Sequence, residues 1–425
     1  MKRNLTSENS KITKRSGTAG FQPASGAKRN VARQATVREE YEPYCPHFPH
    51  CVGCPFIKVP YPEQLRRKRE SVSRALGEYA NLAGVEMLPM VPSPRRVGYR
   101  TRVKLVVRKN RGQIAIGLYV PQSHRVVDIS ACPVHPKPVN QVVFYLKRKL
   151  LELGIEPYDE RNDSGILRYL DFRYSVARQE VSVALVTRHA GFPQGAILAR
   201  ALQDRFPFIT GVIQNVNENR GNVIWGSNFR TLSGCDTIME RIGDLKMVFP
   251  AGVFSQANPF TARRLYEQVF AMAALTGQEN VLDLYCGVGP IALFLAPAAR
   301  QVWAIDDNEL SIATAKQNAR RNGRGNCRFS AGDVAAEVKR LTQNLPMIDL
   351  IVLNPPRKGV QVAALDAVVA ADAPRIIYVS CEPSSLARDL DRLNSVGYRI
   401  DPIQPFDMFP QTEEVESVAL LTKAR

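Results

Sequence analysis

The sequence predicts an α/β protein. Its C-terminal part, from about residue 251, reads as a Rossmann-like doubly wound parallel sheet, and an α+β region that opens on clustered cysteines precedes it. Three observations carry this. From Glu279 onward, apolar strand-like runs alternate with helical stretches: VLDLY (281–285), VWAI (302–305), IDLIVL (348–353) and IIYVS (376–380), each followed by a turn and a helix. A glycine-bearing turn, CGVGP (286–290), follows the first of these strands directly. Before residue 250 the pattern is one of short apolar runs and turn signals, and three of the eight cysteines crowd between residues 45 and 54.

At 425 residues the chain exceeds one ordinary core. Residues 1–40 are polar and rich in Ser, Thr, Gly, Lys and Arg, the composition of a disordered basic tail. Residues 41–140 hold the cysteine cluster and a basic strand, residues 141–250 a central α+β region, and residues 251–425 the doubly wound domain. A helix is expected over 61–79, with Arg66, Arg67, Lys68 and Arg69 clustered on it. A strand over 99–107 sets Arg100, Arg102 and Lys104 on one face and Thr101, Val103 and Leu105 on the other. A last strand begins at Val415, so Glu416 stands at its start.

Lys and Arg number 57 against 40 Asp and Glu, a net charge of +17. Such an excess favours a polyanionic partner, because each neutralised phosphate releases condensed counterions. Residues 95–111 carry eight basic side chains and no acid, which points to nucleic acid rather than a solvated sheet face. Membrane lipid is the competing polyanion, but no run of about 18 apolar residues is present, so no membrane association is expected. The start, MKRNLTSENSKITKRSG, has no apolar core of a secretory signal. It is basic and acid-poor like an organelle transit peptide, but lacks an amphipathic period. A cytoplasmic monomer with unpaired cysteines is the expectation.

In such a sheet, ligands sit at the carboxyl ends of the strands. Gly287 and Gly289 let backbone approach a ligand after the first strand, and Asp306 ends the next, where an acid about 20 residues on accepts ribose hydroxyls. The third glycine of a dinucleotide fingerprint is missing; the chain reads Pro290, Ile291, Ala292. With no pyrophosphate to cradle, S-adenosylmethionine fits better than NAD. After the 348–353 strand comes Asn354-Pro355-Pro356-Arg357-Lys358-Gly359, with an arginine where amino-directed methyltransferases place a base-stacking aromatic. After the 376–380 strand comes Cys381, in SCEPSSLARDL. Cytosine-C5 RNA enzymes carry a second cysteine after the earlier strand. None stands in 354–359, so a single cysteine points to uracil.

The chemistry needs these groups. Uracil C5 is too weak a nucleophile to attack a sulfonium methyl until a thiolate adds to C6 and makes an enolate. A base must then remove the C5 proton. A free thiol, with a pKa of about 8.5, must be lowered to react near neutrality. Pro383 and Ser384 would start a helix just after Cys381, and a helix N-terminus favours the anion. The alternative is a buried structural cysteine. The residues alone do not choose a base among Glu413, Glu414 and Glu416.

The segments FSQANPF (254–260), DLYCGVGP (283–290), NPPRKG (354–359), SCEPSSLARDL (380–390) and FDMFPQTEEVES (406–417), with the cysteine-rich start, resemble the uracil-5 RNA methyltransferase family that modifies ribosomal and transfer RNA. The resemblance runs from roughly residue 45 to the end. It implies Cys381 as nucleophile, Glu416 as proton-abstracting base, and Gln256, Tyr285, Asp306 and Asn354 as contacts to S-adenosylmethionine. Asn354 and the FDMFP wording resemble a ribosomal-RNA branch, which favours 23S rRNA as substrate over tRNA. The chain departs from the family's usual pattern at Glu382, Gln411 and Thr101, where Asn, His and Asn are common.

Cys45, Cys51 and Cys54, spaced C-x5-C-x2-C, are joined by Cys132 in SACPVHP. Spacing alone allows zinc or an iron–sulfur cluster, and His47, His50 and His135 could serve zinc. The resemblance implies a [4Fe–4S] cluster on the four cysteines. Cys235, Cys286 and Cys327 have no evident task. Two other functions fit part of the pattern: a non-catalytic RNA-binding or ribosome assembly factor, and a redox or zinc regulator.

Overall fold

The computed structural model describes residues 43–423 except 111, 222 and 346. The basic tail expected over 1–40 lies outside the described residues. The first helix, α1 (Tyr61–Gly77), starts with Pro62 in its first turn, where the missing N–H has no helical partner to lose. Its Val72, Ala75 and Leu76 are buried in the core of the C-terminal region. The expected basic cluster is not a free patch. Arg66 and Arg67 pair with Glu63, Arg69 donates to the Met87 carbonyl at 2.7 Å, and Lys68 is buried.

Two sheets follow. The first is built from β1 (Arg102–Asn110), β2 (Gln113–Tyr119) and β3 (Val126–Asp128); then, after α2 (Lys137–Glu152), from β4 (Leu167–Ser175) and β5 (Glu180–Thr187); and, after α3 (Gln194–Arg205), from β6 (Ile209–Val216) and β7 (Asn228–Gly234). Its order is β3-β2-β1-β4-β5-β6-β7, with only β5 and β6 parallel, joined through α3. One face buries Val103, Leu105, Val107 and Phe172 against Leu146 of α2 and Leu198 of α3. Arg102, Lys104 and Arg108 lie on the other face, as the alternation predicts. β1 starts three residues later than expected because the main-chain donors before it turn elsewhere: Arg100 N to the Val134 carbonyl at 2.9 Å and Thr101 N to the Ala257 carbonyl at 2.7 Å, although the Thr101 carbonyl still accepts from Tyr174 N of β4 at 2.8 Å. This one sheet draws strands from both sides of residue 140, which itself lies inside α2.

A hairpin, β8 (Thr237–Ile242) and β9 (Leu245–Pro250), leads to α4 (Pro259–Ala273). The second sheet then runs through β10 (Asn280–Leu284), α5 (Pro290–Leu295), β11 (Gln301–Asp306), α6 (Glu309–Arg321), β12 (Cys327–Ala331), α7 (Val334–Thr342), β13 (Leu350–Leu353), α8 (Val362–Ala370), β14 (Arg375–Ser380), α9 (Pro383–Ser395), β15 (Tyr398–Ile400), β16 (Gln404–Phe406) and β17 (Glu416–Lys423). The order is β12-β11-β10-β13-β14-β17-β15, with β16 also on β17. The first five strands are parallel, as expected, but β17 enters antiparallel, so the sheet is mixed. The 407–415 connection from β16 is too short for the dozen or more residues of a parallel crossover, so β17 turns back against β16 and runs against β14 and β15 as well.

Residues of β14 alternate between two cores. Ile376 and Tyr378 face α7, α8, α9 and α1, while Ile377 and Val379 face α4, α5 and the hairpin. Each fully buried Ile or Leu contributes about 1.5–3 kcal/mol. Ile238, Ile242 and Phe249 of the hairpin pack with Leu265 and Ile291, so residues 237–250 belong to the C-terminal core. Among the described residues no helix is long and apolar enough to cross a membrane.

Candidate active site

β14 and β17 position the two residues expected to react, Cys381 and Glu416. Ser380 pairs with Ser417 at the end of their ladder, and continuing that register by one residue puts Cys381 opposite Glu416. Cys381 is partly exposed, between the strand and α9. Its thiol is not lowered by the helix, as the sequence predicts, but pushed up to about 11. Burial is the main cause and the charge of Glu416 the next, against a downward pull from Arg357. The free chain therefore holds a protonated thiol at neutral pH.

The three glutamates that the sequence leaves together are separated by the structure. Glu413 is exposed, Glu414 forms an ion pair with Arg357, and Glu416 is only 4% exposed. Burial pushes the Glu416 carboxyl up to about 8, Glu414 adds to this, and Arg357 opposes it. Arg357 lies in a loop held by Asp389 of α9, whose Oδ2 accepts from Val360 N at 2.8 Å and Tyr378 Oη at 2.6 Å. A side chain at Gly359, where φ is +78°, would meet Arg388 and Asp389.

A crevice opens where strand order reverses at β10, the place where such sheets bind ligands. Tyr285 takes φ +61° and Gly287 φ +55° in the turn after it. Gln256, Tyr285, Gly287 and Asn354 line one cavity, so three of the four expected cofactor contacts meet there. Asp306 stands apart from that lining. Its Oδ2 accepts from Gly287 N at 2.8 Å and its Oδ1 from Asn308 N at 3.0 Å, tying the glycine turn to β11. Asp283 was not singled out by the sequence. It is fully buried, its Oδ2 accepts from Ala292 N at 2.9 Å, Oδ1 has no partner, and burial pushes its carboxyl up to about 8. Its place as the acid opening DLYCGVG was the available signal.

The segment between β16 and β17 is clasped from the N-terminal side. Lys68 Nζ donates to Asp407 Oδ1 at 2.5 Å and to the Phe409 carbonyl at 2.9 Å, with both charged side chains essentially unexposed. Tyr61 Oη donates to Asp407 Oδ2 at 2.7 Å. Gln64 and Gln411, the latter at φ +73°, exchange two bonds of 2.9 Å. Lys68→Ala leaves a buried carboxylate unpaired, so a loss of about 3–5 kcal/mol is expected in urea unfolding; a loss under 1 kcal/mol would refute this role.

Each of Cys45, Cys51, Cys54 and Cys132 lies within electrostatic reach of the other three. Cys51, Cys54 and Cys132 line a cavity of about 440 Å³ with Arg100, His135, Arg357 and Glu414. Among the described residues no group of three or more His, Cys, Asp or Glu side chains stands ready to hold a single metal ion. His47 is engaged instead: its Nε2 accepts from Ser130 N and Ala131 N at 3.3 and 3.2 Å. His50 lies outside that cavity's lining and is exposed.

The family profile described as tRNA (Uracil-5-)-methyltransferase matches residues 235–424. An uncharacterized RNA methyltransferase of Geobacter sulfurreducens is 42% identical over 90% of this chain and 77% of its own length. The chain belongs to the RNA uracil-5-methyltransferase family. Another of the family's relatives, an uncharacterized RNA methyltransferase of Halalkalibacterium halodurans, is 35% identical over 98% of this chain and 95% of its own. Among solved structures, the Pyrococcus abyssi tRNA (uracil-54, C5)-methyltransferase in complex with S-adenosyl-L-homocysteine superposes with a TM-score of 0.70. It is 30% identical, over 88% of this chain and 86% of that one. As a member of the family the protein is a transferase of the RNA (uracil-5) class, with S-adenosylmethionine as methyl donor.

Proposed function

We propose that the protein methylates C5 of a specific uridine in 23S rRNA through a covalent bond between Cys381 Sγ and C6. The Cys381 thiol first gives its proton to solvent; the thiolate then adds to C6 and moves the C5=C6 electrons towards O4. C5 then takes the methyl group, and S-adenosylhomocysteine departs. Glu416 accepts the C5 proton, the C5=C6 bond re-forms, and the thiolate leaves. The observation that carries this is Cys381 opposite Glu416 across β14 and β17, with the buried carboxyl tuned towards neutrality. Gln256, Tyr285 and Asn354 would hold the methionyl side of the cofactor, and Asp306 the ribose side of the glycine turn.

Beside the site, Arg100, Arg102 and Lys104 lie over the rings of Phe409, Phe254 and Trp225, at 5.8, 5.9 and 5.6 Å. Cations interleaved with aromatic faces suit an unpaired strand, so the target is a loop or bulge uridine, whose extrusion costs a few kcal/mol. Asn354 and the FDMFP segment favour ribosomal RNA, while the tRNA activity of the Pyrococcus relative supports a tRNA reading. Mapping 5-methyluridine in RNA from a strain lacking the gene separates them. Loss from 23S rRNA is expected, loss from tRNA moves the target, and loss from neither overturns both.

The four cysteines are further proposed to hold a [4Fe–4S] cluster, supported by the all-sulfur donor set, their mutual proximity and the cavity beside them. Its place is structural, since no step above transfers an electron. Iron and sulfide content of the purified protein checks it, and zinc in their place would refute it.

A further inference from the structure

The cofactor cavity reaches beyond the C-terminal domain. Thr101, just before β1, and Arg173, Tyr174 and Ser175 of β4 line it together with Gln256, Tyr285, Gly287 and Asn354. Arg173 is 4% exposed. Its Nη2 donates to the Val253 carbonyl, just before the segment carrying Gln256. Its Nη1 has no partner, and its Nε, 3.5 Å from Asp171 Oδ2, makes no hydrogen bond. Asp171 does not balance the charge. It lies 3.7 Å from Arg102 as well, so one carboxylate faces two guanidinium groups, and Lys104 stands opposite it in register. Glu240 also lines the cavity, but its oxygens are taken by Val176 N, Ala177 N and Arg241 N at 2.6, 3.1 and 2.8 Å. Burial pulls the Arg173 guanidinium down only to about 10, so it stays charged at neutral pH.

An unbalanced, nearly unexposed cation with idle donors is costly unless an anion meets it. S-adenosylmethionine carries one anionic group, the carboxylate of its methionyl end. We propose that Arg173 binds that carboxylate, so that the first sheet contributes a carboxylate-recognising corner to the cofactor cavity. The inference rests on the assignment of the cavity to S-adenosylmethionine. A guanidinium meets a carboxylate through two parallel N–H donors, and the Nη1–Nη2 edge offers them: Nη1 is idle and Nη2 spends one of its two N–H groups on the Val253 carbonyl. A backbone phosphate of RNA is the competing anion. It would have to reach an almost unexposed group, past Arg102, with the polymer attached.

The test compares S-adenosylhomocysteine with its decarboxylated analogue by calorimetry on the full-length protein. Wild type is expected to prefer the carboxylate form by about 10–100-fold, the range of a charge-assisted pair. Arg173→Gln should erase that preference and leave the analogue's affinity within about twofold. Four outcomes overturn the proposal: wild type that does not distinguish the two ligands, a variant that weakens both equally, a variant that retains the wild-type preference, and a variant that loses only salt-dependent RNA affinity. The wild-type comparison decides the matter alone should the variant fail to fold. Wild type that binds neither ligand would instead remove the cofactor assignment, and the inference with it.

Discussion

Cys381→Ala is expected to lower methyl transfer by at least about four orders of magnitude while leaving S-adenosylhomocysteine affinity within about twofold. Removing a covalent nucleophile eliminates the proposed route rather than slowing it, and single-residue losses in concerted catalytic groups reach this size. RNA carrying 5-fluorouridine gives the direct readout. Fluorine at C5 cannot leave as a proton does, so wild type should form a complex that survives denaturing electrophoresis, and the Ala variant should form none. Absence of the wild-type complex would sink the covalent mechanism. The raised thiol adds a second signature. With its pKa near 11, Cys381 in the free chain is protonated at neutral pH, and the thiolate fraction rises tenfold per pH unit below that value. Alkylation of Cys381 should therefore be slow at pH 7 and accelerate steadily up to about pH 11.

Glu416→Gln is expected to stall the reaction one step later. The amide cannot accept the C5 proton, so methylated RNA should accumulate on the protein as a covalent complex, with turnover down about 10²–10⁴-fold. No accumulation alongside normal turnover would move the base to another residue. The wild-type rate should also climb with pH through about 8 more steeply than the thiolate fraction alone, as the buried carboxyl ionises, and the Gln variant should keep only the thiol's share of that rise. Stability runs the other way. The folded carboxyl keeps its proton to about pH 8, whereas the unfolded one releases it near 4.5. Its contribution is thus present below pH 4.5 and lost as pH rises to 8. The Gln variant, neutral throughout, should gain on wild type in denaturant midpoint over that window.

The strand-turn-helix rhythm after residue 279 was readable because a buried parallel sheet writes its strands as apolar runs and its ligand positions as the residues just after them. Tyr285 and Asn354, just after β10 and β13, come together as that rule implies, whereas Gln256, between the hairpin and α4, came only from the family resemblance. Two kinds of information were not local. Lys68 and Asp407 are too far apart in sequence for either to announce the other, and a basic residue in a basic helix reads as surface until its partner is seen. The protonation of Cys381 depends on burial and on Glu416 across the strand, and neither follows from the helix start alone. The entry of β17 was half visible. Its existence could be read, with a start at Val415 one residue before the observed Glu416, but its direction depended on the room left by the 407–415 connection from β16.

The ladder between β14 and β17 has a consequence for how such proteins diversify. The proposed nucleophile and base take their separation from main-chain hydrogen bonds, which any side-chain sequence can make. The surface proposed to meet RNA lies largely on other strands and loops, with Arg102 and Lys104 on the first sheet. Substitutions that retarget the molecule to a new transcript can therefore accumulate on one part of the chain without retuning the distance over which bonds are made and broken on the other.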